Sequence, residues 1–254
     1  MPQLLEGKTA LIMGIANKWS LAYAIAQAFS REGASLVLTY LDEHQKESIE
    51  TLSKDLNVVK VLPCNVTKED ELAALTANLT GTPIDAVVHS LAFANREDLG
   101  KPFVETAKDG FLLAQEVSSY SLVAVARATA PLMTNGGSLM ALTYLGSTRV
   151  VPNYNVMGVA KASLEACMRY LASDLGPAKI RVNCISAGPV KTASARAVKG
   201  LMSILDSVAE KSPLRHSTEP AEVADTAVFL ASDLGRGVTA NTIFVDAGFQ
   251  VMGM

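Results

Sequence analysis

The chain has 254 residues, 49% of them hydrophobic and 19% charged, with a formal net charge of −3, so it is too apolar for a disordered chain and lacks the basic balance of a nucleic-acid binder. Its three cysteines lack CxxC spacing and its three histidines are scattered, which predicts a reducing compartment and no metal site. It lacks a signal-peptide pattern and an apolar run of membrane-spanning length, so we expect a cytoplasmic protein that does not bind a membrane.

Short apolar segments alternate with helical segments along the whole chain. The predicted strands are Thr9–Met13, Ser35–Tyr40, Val58–Leu62, Ile84–His89, Ser138–Leu142, Ile180–Ile185 and Asn241–Val245. The predicted helices are Leu21–Arg31, Glu43–Leu56, Lys68–Leu79, Gly110–Met133, Glu219–Ser232 and one that carries Tyr154 and Lys161 towards Asp174. Near-continuous apolar strands that alternate with helices indicate a parallel sheet covered on both faces. We therefore expect residues 1–254 to form a single Rossmann-type α/β domain with a doubly wound parallel sheet.

The first predicted strand ends at Gly14, and the turn that follows leads through Ser20 and Leu21 into a helix. Glycine allows a ligand backbone to approach closely, and a helix N-terminus attracts the pyrophosphate of a dinucleotide. The Ser20 hydroxyl could cap this helix or bind the ligand. A single glycine at a strand end is most often only a turn, and the G-x-G-x-x-G fingerprint is absent.

Small and polar residues follow three other predicted strands. Asn65 and Val66 could pair with the edge of an adenine ring and cover its face, residues 90–94 leave room for a ribose, and residues 186–192 follow the sixth strand. Each segment alone is also explained as a plain turn. Because ligands bind beyond the carboxyl ends of parallel strands, their joint occurrence favours a dinucleotide site.

Tyr154 and Lys161 are seven residues apart, which places both on nearly one face of a helix at ~100° per residue. The phenol could touch a reacting group while the ammonium touches a sugar hydroxyl behind it and lowers the pKa of the phenol. Tyr144 supplies a second phenol just upstream. The alternative is a packed tyrosine and a solvated surface lysine.

These motifs together resemble the bacterial NADH-dependent enoyl-acyl-carrier-protein reductases, a divergent branch of the short-chain dehydrogenases/reductases. The resemblance runs from Gly7 to Phe249 and rests on Tyr154-x6-Lys161, the loop 14–20, Ser118–Ser121, Ile185–Pro189 and Asp246–Phe249. It implies a homotetramer that uses NADH to reduce the trans-2 double bond of fatty acyl thioesters on acyl carrier protein during fatty acid elongation.

The resemblance also implies residue roles. Tyr154 would face the thioester carbonyl, Lys161 would hold the nicotinamide ribose, and Tyr144 would be the second active-site tyrosine. The residues implied for the cofactor are Gly14, Ser20, Leu21, Leu41, Asn65, Val66, Leu91, Lys161, Val190, Lys191, Thr192, Ala193 and Ser194, and those implied for the substrate are Ala94, Tyr144, Tyr154, Met157 and Leu201. Asn65 stands where many relatives have Asp, and Leu41 where some have Gln.

Three further expectations concern specificity. The end of the second strand, residues 39–43, contains two carboxylates and no Arg or Lys, which predicts NADH rather than NADPH. Residues 193–212 are expected to form an apolar substrate lid, although an amphipathic helix packed on the core would look the same. Basic side chains in and after this segment could dock acyl carrier protein or simply be solvated.

Two alternative functions compete with this interpretation. A 3-ketoacyl-thioester reductase would want a catalytic Ser and Tyr-x3-Lys, but Gly158 occupies that lysine position. A catalytically silent dinucleotide-binding regulator would have no need for two tyrosines and a lysine together.

Overall fold

The computed structural model of the protein describes residues 3–190 and 201–253, and for positions 201–204 and 206 it describes the backbone alone. Strands, numbered in chain order, span Thr9–Met13 (β1), Ser35–Tyr40 (β2), Val58–Pro63 (β3), Ala86–His89 (β4), Gly137–Thr143 (β5), Ile180–Ala187 (β6) and Thr242–Val245 (β7). They form one sheet in the order β3-β2-β1-β4-β5-β6-β7, and all neighbouring pairs are parallel.

Helices cover both faces of this sheet. They span Leu21–Arg31 (α1), Glu43–Leu52 (α2), Glu69–Leu79 (α3), Arg96–Gly100 (α4), Lys108–Gln115 (α5), Ser121–Thr129 (α6), Asn155–Leu175 (α7), Leu201–Lys211 (α8) and Pro220–Ala231 (α9). Helices α1, α2 and α9 pack on the face that includes Ile12 and Val88, while α3, α6 and α7 pack on the face that includes Leu11 and Val87. Because both faces are buried, successive strand residues are all apolar. None of the described helices is long and apolar enough to cross a lipid bilayer.

The predicted doubly wound sheet is confirmed, and most element bounds agree within two residues. The main difference lies in the helix predicted over Gly110–Met133, which begins at Lys108 and contains a π-helical turn at Glu116–Tyr120 between α5 and α6. Helix α4 was not predicted, because five residues are too few to show a helical period.

The order in which the chain adds strands to the sheet reverses at β1, which lies between β2 and β4. Met13 at the end of β1 is the register partner of His89 at the end of β4. Ligands of such sheets bind in the crevice outside the strand ends at this switch point. The fold therefore directs attention to the loops that follow these two strands.

Candidate active site

Gly14 brings the loops after β1 and β4 into contact. Its φ is +98°, and a Cβ placed on it would lie 2.1 Å from the backbone oxygen of Ser90 and 3.3 Å from Leu91 Cδ2. Any other residue would be strained and would push the two loops apart. The predicted residues Gly14 and Leu91 thus meet at the switch point, where the close backbone approach and the start of α1 fit a dinucleotide.

The loop from β1 to α1 is braced by its own residues. The Ser20 hydroxyl donates to the carbonyl of Asn17 at 2.7 Å, and Asn17 Oδ1 accepts from the N–H of Trp19 at 2.9 Å. Among the described residues no side chain caps α1, so the expectation that Ser20 could cap this helix is wrong. The N–H groups of Tyr23 and Ala24 donate to the Ser20 carbonyl, so within the described residues those of Leu21 and Ala22 remain available to an anion.

Asn65 and Val66 follow β3 as predicted, but the amide of Asn65 is partly engaged. Asn65 Oδ1 accepts from the backbone N–H of Thr67 at 3.0 Å and from its hydroxyl at 2.8 Å. An sp² oxygen has two lone pairs, so the group that Asn65 presents to an adenine is its NH2 rather than its oxygen. Val66 is buried, whereas Leu41, after β2, is 54% exposed.

A cation stands beside the end of β2, where the sequence suggested none. Lys46 Nζ lies 5.9 Å from the centroid of the Tyr40 ring and 3.5 Å from Glu43 Oε2. The first turns of α2 fold this lysine back towards the strand end. The prediction considered only residues 39–43 and so did not include Lys46. Residues three apart on a helix share a face, which is why Lys46 lies beside Glu43.

The two candidate tyrosines touch each other. The ring centroids of Tyr144 and Tyr154 are 5.0 Å apart and their planes meet at 73°, an edge-to-face contact. Tyr154 lies at the N-cap of α7, with Tyr144 just after β5. Burial, and then the neighbouring Tyr144, raise the pKa of Tyr154 well above its usual value, and burial also raises the pKa of Tyr144. The pKa of Tyr154 is therefore raised where a lowering by Lys161 was expected, because burial determines the direction of the shift.

Two glycines make room for the Tyr154 ring. A Cβ on Gly146 would lie 2.4 Å from Tyr154 Cδ1, and one on Gly158 would lie 2.8 Å from the Gly146 carbonyl oxygen. Sequence reasoning gave neither glycine a role in the site. The available signal was Gly158 itself, because a glycine inside a helix costs about 1 kcal/mol relative to alanine and so needs a packing reason.

An apolar cluster lies next to Tyr154. Its buried members are Leu99, Ala114, Val156 and Met157, and the partly buried side chains of Ala94, Phe111 and Tyr154 pack against them. Three of the residues predicted for the substrate, Ala94, Tyr154 and Met157, are thus brought together, and Tyr144 joins them through its ring contact. The side chain of Leu201 lies outside the described part of the chain.

Lys161 is buried rather than solvated, with 5% of its surface exposed. Its Nζ donates a 2.7 Å hydrogen bond to the carbonyl of Leu142 at the end of β5. Burial lowers the pKa of Lys161 to about 8, against the opposing effects of Cys184 and Glu165. The interpretation of Lys161 as a surface lysine is excluded.

The π-helical turn places polar side chains that sequence reasoning noticed only as a motif. Ser118 Oγ accepts from the N–H of Phe93 at 2.9 Å and donates to its carbonyl at 3.1 Å, which fixes the loop after β4. The Ser121 hydroxyl donates its one proton to the carbonyl of Val117. In its 2.7 Å contact with His89 Nε2 the hydroxyl therefore accepts, and Nε2 carries the proton. Burial lowers the pKa of His89 to about 3, so the imidazole is neutral.

The predicted cofactor residues after β6 are only partly described. Val190 is buried and lines the same cavity as Ser20. Lys191, Thr192, Ala193 and Ser194 lie outside the described residues.

Comparisons with known proteins agree over the whole chain. A family model described as Enoyl-(Acyl carrier protein) reductase matches residues 14–250. The chain is 52% identical to the Bacillus cereus enoyl-[acyl-carrier-protein] reductase [NADH], over 99% of this chain and 100% of the relative. It is 49% identical to a Staphylococcus aureus enoyl-[acyl-carrier-protein] reductase [NADPH], over 98% of both chains.

Solved structures agree as well. The Bacillus cereus enoyl-acyl carrier protein reductase with NADP+ and an indole naphthyridinone superposes with a TM-score of 0.97 at 51% identity, covering 99% of this chain and 100% of that one. An Anaplasma phagocytophilum reductase in complex with NAD gives 0.96 at 43% identity, over 100% and 98%.

Proposed function

The chain belongs to the enoyl-[acyl-carrier-protein] reductase family and reduces the trans-2 double bond of enoyl thioesters with NADH in fatty acid elongation, and we propose that Tyr144, Tyr154 and Lys161 carry out that reaction. The observation that carries this proposal is the contact between the two tyrosines beside an apolar cluster, at the strand ends where a dinucleotide fits. A donor, an acyl-chain surface and a cofactor crevice then adjoin one another.

Tyr154 stabilises the charge that develops during reduction. As the β-carbon of the enoyl thioester is reduced, negative charge moves to the thioester oxygen. A preorganised donor at such an oxygen is typically worth ~10²–10³ in kcat. Since burial raises the pKa of Tyr154, its phenol stays protonated and donates a hydrogen bond. The edge of the Tyr144 ring and the absence of a side chain at Gly146 fix the direction of that phenol.

Lys161 holds the cofactor by its ribose. NADH, when bound, supplies the hydride, and the protein supplies position and electrostatics. An ammonium group has three N–H donors, of which the Leu142 carbonyl takes one. Within the part of the chain that the structure describes, two donors remain for the hydroxyl groups of a ribose. Gly14, Leu91 and the N-terminus of α1 would hold the remainder of the dinucleotide.

The acyl chain is bound by apolar surface. Ala94 and Met157 lie next to Tyr154, and each methylene that an acyl chain buries contributes about 0.8 kcal/mol. We assign residues 193–212 as a lid over this surface. Helix α8 supplies its second half, and residues 193–200 lie outside the described part of the chain.

Acyl carrier protein delivers the substrate, and we assign a homotetramer as the assembly. Large apolar side chains are exposed along the outer side of α5, the π-helical turn and α7: Leu112 at 52%, Tyr120 at 48%, Val159 at 37% and Tyr170 at 76%. Contiguous exposed apolar patches mark interaction surfaces. Sedimentation velocity should give four times the chain mass, and a monomer at micromolar concentration would contradict this assignment.

One spectrophotometric experiment separates the candidate functions. The protein is mixed with NADH and either a crotonyl or an acetoacetyl thioester, and absorbance is followed. Oxidation of NADH with the crotonyl substrate alone supports the proposal. Oxidation with acetoacetyl alone would indicate a ketoacyl reductase, and no oxidation with either would indicate a silent dinucleotide binder.

A further inference from the structure

Glu165 is a buried carboxylate to which the proposed reaction assigns no role. Only 7% of its surface is exposed, and it lies one helical turn after Lys161 on α7. Residues four apart on a helix share a face, so the two charged groups project to the same side. Acidic side chains are almost never this buried unless they are paired.

The same two residues of β5 anchor both charged side chains. Lys161 Nζ donates to the carbonyl of Leu142 at 2.7 Å, and the hydroxyl of the next residue, Thr143, donates to Glu165 Oε1 at 2.7 Å. The residue after Thr143 is Tyr144, whose ring contacts Tyr154. The end of β5 thus joins the lysine, the carboxylate and the tyrosine pair.

The other titratable groups that surround Lys161 from the strands carry no charge, whereas Arg169, one turn after Glu165 on α7, is an exposed cation. His89 on β4 is neutral, because burial lowers its pKa to about 3. Cys184 on β6 is a thiol, since burial raises its pKa to about 12. The two tyrosines are protonated phenols. Among the described residues, Glu165 is therefore the carboxylate that opposes the desolvation of the Lys161 ammonium, by charge–charge attraction rather than by a direct ion pair.

We propose that Glu165 is a positioning residue whose carboxylate keeps Lys161 in its ammonium form and directed at the cofactor ribose. The inference rests on the proposed role of Lys161 and adds that a second buried charge sets the upper pH limit of cofactor binding. Glu165 touches neither substrate nor cofactor, and it acts through Lys161 alone.

The test measures the Kd for NADH by fluorescence titration between pH 6 and 9 in the wild type and in Glu165→Gln. Glutamine has the same shape and its side-chain oxygen still accepts from Thr143, so the change removes only the charge. Without that charge the pKa of Lys161 falls below about 8, and binding is lost at a lower pH. Each unit of that fall reduces the protonated fraction above the pKa about tenfold. For a fall of one unit we expect nearly equal affinities at pH 6, about fivefold weaker binding by the variant at pH 8 and about ninefold weaker binding at pH 9.

Three variants control for structural effects. Glu165→Asp keeps the charge and should keep the wild-type pH midpoint, even though the shorter side chain loses Thr143. Glu69→Gln makes the same change in net charge at a side chain that is 85% exposed, and it should leave the midpoint unmoved. Glu165→Met, an apolar side chain of similar length, replaces the glutamine variant if that protein does not fold.

The outcomes separate the two assignments. Lys161→Met should weaken binding at low pH and remove the midpoint. If it does so while Glu165→Gln and Glu165→Met keep the wild-type midpoint, the role of Glu165 is overturned and that of Lys161 stands. If Lys161→Met binds NADH like the wild type, both roles fail.

Discussion

Gly146→Ala tests whether the position of the Tyr154 ring sets the rate of reduction. An ideal Cβ on Gly146 would lie 2.4 Å from Tyr154 Cδ1 and 2.8 Å from Cε1. Carbon atoms in contact are separated by ~3.5 Å or more, so the ring has to move by about 1 Å. The φ of Gly146 is not in the left-handed region, so alanine adds a clash without backbone strain.

A displacement of ~1 Å can reduce turnover about 10²-fold. We therefore expect kcat for a crotonyl thioester to fall by about 10²-fold, while the Kd for NADH stays close to that of the wild type. Overpacking costs about 1–3 kcal/mol, and the smaller unfolded-state gain from Gly→Ala offsets about 0.4–1 kcal/mol of it. Stopped-flow NADH oxidation, cofactor titration and thermal unfolding measure the three quantities.

Gly176→Ala is the matched control. Gly176 has helical dihedral angles (φ −54°, ψ −43°), and a Cβ on it would have no atom within 4 Å. The control should keep the wild-type kcat and melt at the same or a slightly higher temperature. Wild-type kcat in a folded Gly146→Ala protein would refute the assignment of Tyr154, because the reacting phenol could not tolerate the displacement.

Four other substitutions test the rest of the site. Gly14→Ala, at φ +98° and 2.1 Å from the Ser90 carbonyl, should lower the melting temperature and the affinity for NADH together; a variant that is wild type in both would show that the loops do not need to meet there. Tyr154→Phe should lower kcat ~10²–10³-fold at unchanged NADH affinity, whereas Lys161→Ala should weaken NADH binding itself, and unchanged stopped-flow rates and titrations in both would end the catalytic assignment. Lys46→Ala should reduce kcat/KM for NADPH by up to about fivefold with little effect on NADH, as befits an exposed charge; an equal loss for both cofactors would place Lys46 away from the ribose 2′ position.

The sequence predicts the sheet well because strand burial is a local property. Strands such as Thr9–Met13 are buried on both faces, and this burial produces an unbroken apolar run that the sequence shows directly. The π-helical turn at Glu116–Tyr120 produces no comparable pattern in the sequence. The serines of this turn favour alternatives to a regular helix. The position of the turn depends on the contacts that these serines make with the loop after β4 and with α7, which are distant in the sequence.

The site is predicted in part for the same reason. The tyrosine spacing and Gly14 are local signals, and the structure brings Tyr144, Tyr154, Met157 and Ala94 together. The burial of Lys161 is not local. In the segment Gly158–Ser163 a lysine among small residues resembles a surface position, and only the Leu142 carbonyl, 19 residues earlier in the chain, shows where its amine lies.

The distribution of buried polar groups locates the function independently of any relative. His89, Thr143, Lys161 and Glu165 are all buried at the carboxyl ends of β4 and β5 or on the part of α7 that covers them. Lower down the same strands, the buried residues are apolar, as at Val87 and Leu139, with the exception of Ser138. Leaving a buried charge unpaired destabilises a fold by several kcal/mol, and apolar replacements of a buried ion pair are often neutral or stabilising. A sequence under selection for stability alone would therefore continue the apolar layer to the strand ends. Here a hydrogen-bonded polar layer replaces the apolar layer at one edge of the sheet, beneath the two tyrosines. A site that must keep a charged side chain in contact with a ligand requires such a layer.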